Sequence, residues 1–491
     1  KHWLLKNTID RFAASYDRTQ QYTRAEQDSN ATDNKVYRSS YNLDPRWNLK
    51  ILNQTFSLLP KNISLSATYT DHLVETFFRE TVTDTFRESD LGTRHNRTLT
   101  PVVSIVMNPH QIVNATYTFN QVRDSVDTRG RFGEEVQRNQ TINASLAQNL
   151  KIISPRLYYN ATYTEDHRFE IRQTEDLRNV TNTGRYGIDA TVNITTFLRL
   201  IGRLRDESQD SLIVTGSPSW FLKQIDNLAK YVANPTVNYS RQRNSSYLNA
   251  RVRPDITYQW GLVDSLPPED VAAGSYPGRG MTDTYGVNAG LNIAQLFSLS
   301  GGYSGAVNRI FYYDKEVRTE SAAYPNATLR VSNLHSLPFL KRYTRNSSLM
   351  TSFNQLYDEK YEIVDDSVSL ISESRTMNLS PLINWQTTWL KGISSQIEVT
   401  YTETKAKEYD VVDTLPSRRV SIGGSVNFSY RFSAPRGLGI PLLKGLKFAS
   451  NMSLSLGASY NRTKNFRRDL EIPINDSSTL GVNAGLSYDF S

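Results

Sequence analysis

Six histidines and a scatter of acids are the residues of this chain with types that could do chemistry. His2, His72, His95, His110, His167 and His335 fall at no spacing that would gather two imidazoles on one metal ion. Asp71 beside His72, and Glu165 and Asp166 beside His167, have the composition of an acid–base pair. Both sets fall just past the end of an alternating segment, so we read them as solvated loop groups. Asp124, Asp127, Gly130, Glu134 and Glu135 have the composition of a calcium loop but not the spacing of one, and read as loop acids too. There is no phosphate-binding glycine loop, no G-x-S-x-G elbow and no dinucleotide fingerprint. The expectation is a protein that is not an enzyme and holds no cofactor and no metal.

The elements that would carry any site are strands. Apolar and polar residues alternate with period two from end to end. Ile63, Leu65, Ala67 and Tyr69 interleave with Ser64, Ser66, Thr68 and Thr70; Val113, Ala115, Tyr117 and Phe119 interleave with Asn114, Thr116, Thr118 and Asn120. The pattern returns at 157–163, 186–194, 285–293, 420–432 and 452–460. It closes on Leu480, Val482, Ala484, Leu486, Tyr488 and Phe490. Roughly 16–20 such segments are long enough for the ~9–11 residues of a tilted membrane strand. The stretch 420–432 would extend about 43 Å, more than a bilayer core needs, so some strands should project beyond it.

The chain has 491 residues, no cysteine, a formal net charge of +7, 28 Tyr and 19 Phe. Without cysteine there is neither a disulfide framework nor a thiolate metal site. No run of 18 apolar residues is present, which excludes helical spans but not a barrel, where only every second residue is apolar. The positive charge is scattered, which argues against nucleic acid as a partner. The face opposite the apolar one is mostly Ser, Thr, Asn and Gly, with charges expected between strands. That composition suits a water-filled lumen better than the Lys- and Glu-rich wet face of a soluble sheet. Tyr and Phe near strand ends would form an aromatic girdle. The fold expected is all-β: a transmembrane antiparallel β-barrel wall spanning 1–491 in the outer membrane, with the lipid bilayer as a partner. Val482, Ala484, Leu486, Tyr488 and Phe490 would be the membrane face of the terminal strand.

Roughly twenty N-x-[ST] triplets have the form of glycosylation acceptors. Residues i and i+2 share a strand face, so a face built of Asn, Ser and Thr generates the triplet automatically. Long charged loops are expected at 121–140, 262–283 and 402–419. Phe221, Ile225, Leu228 and Val232 recur at helical spacing after Pro218, with Ser219 placed to cap. They define a short loop helix near 219–232, a gate or docking element or simply a packed loop. Pro435, Gly437, Gly439 and Pro441 mark a turn or bend before 450.

Several local patterns resemble the SprA/Sov family, the outer-membrane translocon of the type IX secretion system. They are IDRFAASYDRTQQYTR (9–24), YNLDPRW (41–47), LLPKNISLSATYTDHLVETFFRE (58–80), LSPLINWQTTWLKGISSQIEVTY (379–401), and 442–471 with GVNAGLSYDF (481–490). The resemblance implies the C-terminal arc of a very large single-chain barrel, either a fragment or a split protein. It also implies a protein-conducting channel. Folded cargo proteins with C-terminal sorting domains would pass through the lumen to a PorV-type shuttle barrel, with plug and periplasmic accessory proteins as further partners. Phe490 stands one residue before the end, whereas an ordinary outer-membrane assembly signal finishes on the aromatic. Other readings are a closed porin or a receptor barrel for small solutes, a lipopolysaccharide-inserting barrel (which usually has disulfides) and a soluble secreted adhesin. Pairing of segment 12–16 with 482–490 would favour the closed pore, and unpaired edges the arc.

Overall fold

The computed structural model describes residues 11–488 apart from 25–27, 46–47, 52–53, 58, 81–84, 125–132, 168–176, 198–199, 201–230, 273–277, 294–295, 391, 410–413, 435–447 and 468–471. Period-two sequence becomes strand almost throughout. In chain order the strands are β1 (Phe12–Arg24), β2 (Asp28–Leu43), β3 (Asn48–Ile51), β4 (Gln54–Ser57), β5 (Asn62–Glu80), β6 (Thr85–His110), β7 (Val113–Asp124), β8 (Glu134–Ala147), β9 (Ile153–Asp166) and β10 (Arg178–Val192). They continue as β11 (Val232–Ala250), β12 (Gly278–Ile293), β13 (Phe297–Phe311), β14 (Glu316–Val331), β15 (Thr344–Val364), β16 (Ser367–Trp389), β17 (Ile393–Tyr409), β18 (Thr414–Ala434), β19 (Phe448–Arg467) and β20 (Asn475–Tyr488). The helical elements among the described residues are short turns, such as α1 (Ile256–Gln259), and none is long and apolar enough to cross a membrane.

Eighteen strands form one antiparallel sheet, and β3 and β4 make a separate hairpin between β2 and β5. Each strand of the large sheet pairs with its neighbours in sequence, β1 with β2, β2 with β5, and so on to β19 with β20. Among the described residues β1 and β20 share no register, so the sheet is open. The edge strands are correspondingly bare, with Phe12 57 % and Val482 77 % exposed.

The sheet is a single layer. It exposes 32727 Å², against about 18,000 Å² for a compact protein of its 55.9 kDa. One cluster of fully buried apolar side chains is found among the described residues: Tyr163, Val180, Tyr247, Ala250 and Tyr258, joined by Leu266 and Val271. Elsewhere no layer of described residues covers the apolar face of the strands, and Leu157, Ile188, Val237, Val287, Ile422 and Leu456 all stand open.

Expectations about three charged connections need correction at their edges, while 262–272 does lie in the connection between β11 and β12. Segments 121–124 and 134–140 belong to β7 and β8, 278–283 to β12, and 402–409 and 414–419 to β17 and β18. Their charges lie on strand extensions rather than in loops, because alternating backbone continues past the apolar run and the partner strand continues beside it. Asp71 and His72 are likewise inside β5, not past its end, and Glu165 and Asp166 close β9. Of the helical segment near 219–232, Phe221, Ile225 and Leu228 lie outside the described residues and Val232 opens β11. The turn expected around Pro435–Pro441 also lies outside them.

Candidate functional site

The register sorts the side chains into two faces, and their chemistry is distinct. Over much of the polar face, cross-strand neighbours are small and neutral, although Arg156 and Asp189 face each other on β9 and β10. Ser240 bonds Thr284 at 2.7 Å, Thr282 donates to Asn308 at 3.0 Å, Thr402 to Asn378 at 3.0 Å, and Ser421 bonds Thr463 at 3.1 Å. A hollow of about 350 Å³ lies on this face, lined by Asn346, Gln386, Gln396, Asn427, Ser455 and Asn483 among others. A second, of about 450 Å³, is lined by Asn114, Asn143, Asn160, Arg156, Arg185 and Asp189. Asn114, Asn143 and Asn160, all first residues of N-x-[ST] triplets, thus line one hollow on neighbouring strands, and Asn427 lines the other, as the period-two argument requires.

On the apolar face the strands repeat one order: apolar residues, then tyrosine, then charge. β1 reads Phe12, Ala14, Tyr16, Arg18; β5 reads Ile63, Leu65, Ala67, Tyr69, Asp71. β11 reads Val237, Tyr239, Arg241; β12, in reverse, reads Leu291, Ala289, Val287, Tyr285, Asp283. β17 reads Ile397, Val399, Tyr401, Glu403, Lys405, and β19 reads Leu454, Leu456, Ala458, Tyr460, Arg462, Lys464. The tyrosines meet across strands, with ring centroids 4.7 Å apart for Tyr16 and Tyr37 and 6.0 Å for Tyr37 and Tyr69. The opposite border of the apolar run carries Trp385 and Trp389 on β16, whose indole N–H groups donate to Ser347 and Ser395 at 2.8 and 3.0 Å. From Ile293 to Tyr285 is about 26 Å along the strand at ~3.3 Å per residue.

Beyond the tyrosines the charges are paired. Asp33 holds Arg18 at 2.9 Å and Lys35 at 3.3 Å, Asp283 holds Arg241 at 2.5 Å, and Asp476 holds Arg462 at 2.6 Å. Asp71 faces His95 and Arg97, not its sequence neighbour His72, because successive residues of a strand point to opposite faces. Glu135 is bound by Arg138 at 2.6 Å and Arg253 at 3.1 Å. Asp127 and Gly130 lie outside the described residues, and no group of three acids or histidines able to hold a metal occurs among the described ones.

Among the described residues the charged end of this face is covered by the β11–β12 connection, a strap running from Arg251 to Val271. Asp255 caps α1: its carboxylate accepts from the Tyr258 N–H at 2.9 Å and from the Thr257 hydroxyl at 2.8 Å. Those bonds, the backbone one first, hold the Asp255 carboxyl below its ordinary value. The turn points Tyr258 onto the sheet, edge-on to Tyr163 and Tyr247, with its hydroxyl accepting from Ser245 at 2.9 Å. Burial pushes the Tyr258 hydroxyl up, out of the working pH range. Asn182 donates to the carbonyls of Tyr258 and Val263, and Tyr159 to that of Trp260. The strap backbone then touches the sheet backbone: Gly261 has φ +74°, and a Cβ on it would lie 3.0 Å from the Gly184 Cα. Arg253 reaches down to Glu165 at 2.9 Å, where Arg178 binds the same carboxylate at 3.0 Å. The outward side of the strap leaves Ile256, Trp260 and Leu262 exposed.

The strap was not singled out by sequence, although Pro254-Asp255 followed by Gly261 is a helical turn with its cap and its stop. Of the expected terminal-strand face, Val482, Ala484 and Leu486 pair with Ala458, Leu456 and Leu454 on the apolar face. Tyr488 is the last residue of β20, and Phe490 lies outside the described residues. Comparison with models of protein families and with characterised proteins returns no match.

Proposed function

We propose that this chain is a stretch of outer-membrane β-barrel wall lining a protein-conducting channel, of the kind that its resemblance to the type IX translocon family implies. The observation that carries the membrane part is the bare apolar face, bordered by tyrosine on one side and tryptophan on the other. In water an open surface of that extent would associate or collapse, whereas in a bilayer it is the ordinary lipid contact, with aromatics at the interfaces. The ion pairs beyond the tyrosines then project past the hydrocarbon. The neutral, hydroxyl- and amide-rich face becomes the lumen, which stays hydrated and offers a passing protein few fixed charges or apolar patches.

Protein conduction rather than solute diffusion is supported by the open edges. Eighteen strands spaced ~4.8 Å and tilted ~40° span about 110 Å, which closed on itself gives a backbone diameter of about 36 Å. Side chains reduce that bore to about 26 Å, while a folded 100-residue cargo domain measures about 33 Å across. A folded cargo needs a wider ring. In hydrocarbon the backbone edges of β1 and β20 need ladder partners, which a wider wall supplies from neighbouring strands. Secreted cargo, a PorV-type shuttle, plug and periplasmic accessory proteins are the partners this reading calls for.

The strand count favours a second reading, a closed 18-stranded solute pore in which β1 pairs with β20. One experiment separates the two, and the absence of native cysteine makes it clean. Cysteine pairs are placed one on β1 and one on β20 in the membrane-embedded full-length protein, stepping through registers. The arc reading expects no rapid intramolecular disulfide at any register. A disulfide that forms at one register and its neighbours would establish the closed pore instead. Photo-crosslinking probes at Asn427 and Ser455 in secreting cells then test the cargo: protein adducts are expected there and not at Leu456.

A further inference from the structure

The carboxylates beyond the tyrosine row are not simply neutralised. Away from the strap, three of them, one on β2 and two on the neighbouring pairs β17–β18 and β19–β20, each organise two cations. Asp33 lies between Arg18 and Lys35, Glu403 between Arg418 at 2.8 Å and Lys405 at 3.6 Å, and Asp476 between Arg462 at 2.6 Å and Lys464 at 4.0 Å. Every cluster therefore carries a net charge of +1. In two of the clusters the acid lies beneath and the cations outside: Asp33 and Glu403 are 18 % and 14 % exposed, against 44 % for Arg18 and 65 % for Lys405, whereas Asp476 is nearly as open as Lys464. An acid in that position fixes its cations in place while the surface offered outward is positive.

The clusters also share a position in the strand pattern. Arg18 follows Tyr16, Glu403 and Lys405 follow Tyr401, Arg462 and Lys464 follow Tyr460, and Lys35 precedes Tyr37, in every case by two or four residues on the same face. At ~3.3 Å per residue and a tilt of ~40° that is about 5–10 Å above the tyrosine row, the depth at which lipid phosphates lie if the tyrosines mark the edge of the hydrocarbon.

We propose that these clusters form a discontinuous phosphate-binding belt on the outer surface of the wall, which recruits anionic lipids whose headgroups carry phosphate monoesters to the leaflet at this end of the strands. The proposal rests on the membrane reading above and adds the lipid class. The argument for this occupant is continuity with the apolar face and complementarity of charge. A soluble phosphate would gain only the headgroup contacts, whereas a phosphorylated lipid gains these and the hydrocarbon contact of the same strand.

The test uses the full-length protein in nanodiscs of phosphatidylcholine doped with a bisphosphorylated glycolipid. Bound lipid is read by native mass spectrometry after partial delipidation. The comparison variant is Lys35→Gln, Lys405→Gln, Lys464→Gln, which keeps every Arg–carboxylate pair and hence the local fold. Wild type is expected to retain the phosphorylated lipid over phosphatidylcholine. Each lysine lost should reduce that preference by up to about fivefold at low salt, and added inorganic phosphate should not compete. Equal retention by wild type and variant overturns the proposal, as does displacement by inorganic phosphate at millimolar concentration. Flotation of both proteins with pure phosphatidylcholine vesicles is the control. If neither floats, the membrane reading fails, and if both float without lipid preference, only the belt fails.

Discussion

Replacing Tyr258 with alanine takes from the strap a ring with no exposed surface, packed against Tyr163 and Tyr247. Deleting a buried aromatic costs about 3–5 kcal/mol, and a short strap can relax, so the lower end applies. A loss of about 3 kcal/mol shifts the ratio of docked to undocked strap about 150-fold. Tyr258→Phe keeps the ring and gives up only the bond from Ser245, about 1 kcal/mol or fivefold. The assay is trypsin cleavage after Arg251 and Arg253 in the detergent-held protein, alongside hydrogen exchange at Gln259, Trp260 and Gly261. The N–H groups of these three donate to the carbonyls of Asp255, Ile256 and Tyr258. When opening is fast relative to cleavage, both signals track the undocked population. Cleavage of the alanine variant within twofold of wild type, or a phenylalanine variant as sensitive as the alanine one, would refute the assignment of Tyr258 as the strap's anchor.

Arginine at Leu456, on the apolar face, should cost about 2–4 kcal/mol of assembly if that face meets lipid, and arginine at its neighbour Ser455 should be tolerated. Comparing the yields of folded, heat-modifiable protein measures the difference. The strap should also loosen in acid. The Asp255 carboxyl is held low in the folded state, so its stabilising effect is full above the ordinary value of ~4 and is lost as pH falls through the folded value. Pepsin nicking of the strap should rise across that window in wild type, stay flat in Asp255→Asn, whose amide oxygen keeps the cap, and be high and flat in Asp255→Ala. Gly305→Val would bring a Cβ within 2.5 Å of the Tyr285 ring, which lies over this glycine from the neighbouring strand. A cost of about 1–3 kcal/mol is expected, read as a lower temperature of heat modification.

Most of the sheet was legible in the sequence because alternation is a local signal that needs no knowledge of partners. Leu454, Leu456, Ala458 and Tyr460 announce one face of β19, and the same reading gives the polar face its Asn-x-Ser/Thr repeat. What failed did so where charge was taken as a loop signal. Glu403, Lys405 and Arg418 lie in paired strand, because a strand outside an apolar layer keeps its partner's hydrogen bonds and needs only a different side-chain chemistry. The pairing of Asp71 with His95 rather than His72 depends on register, and register is a long-range property that no single segment encodes. The strap could be foreseen as a turn, but not its docking site. That depends on Tyr163, Asn182 and Tyr247, which three separate strands bring together.

The central claim is that alternate residues of these strands face lipid and water. It is tested most directly by placing single cysteines at each position from Ser453 to Tyr460 of the membrane-embedded protein. Each is treated with a membrane-impermeant maleimide, and a probe at the same site is exposed to quenchers confined to the lipid tails. The account predicts labelling at 453, 455, 457 and 459, and lipid quenching with no labelling at 454, 456 and 458, with Tyr460 intermediate at the interface. Uniform labelling along the segment, or quenching on the polar face, would contradict it.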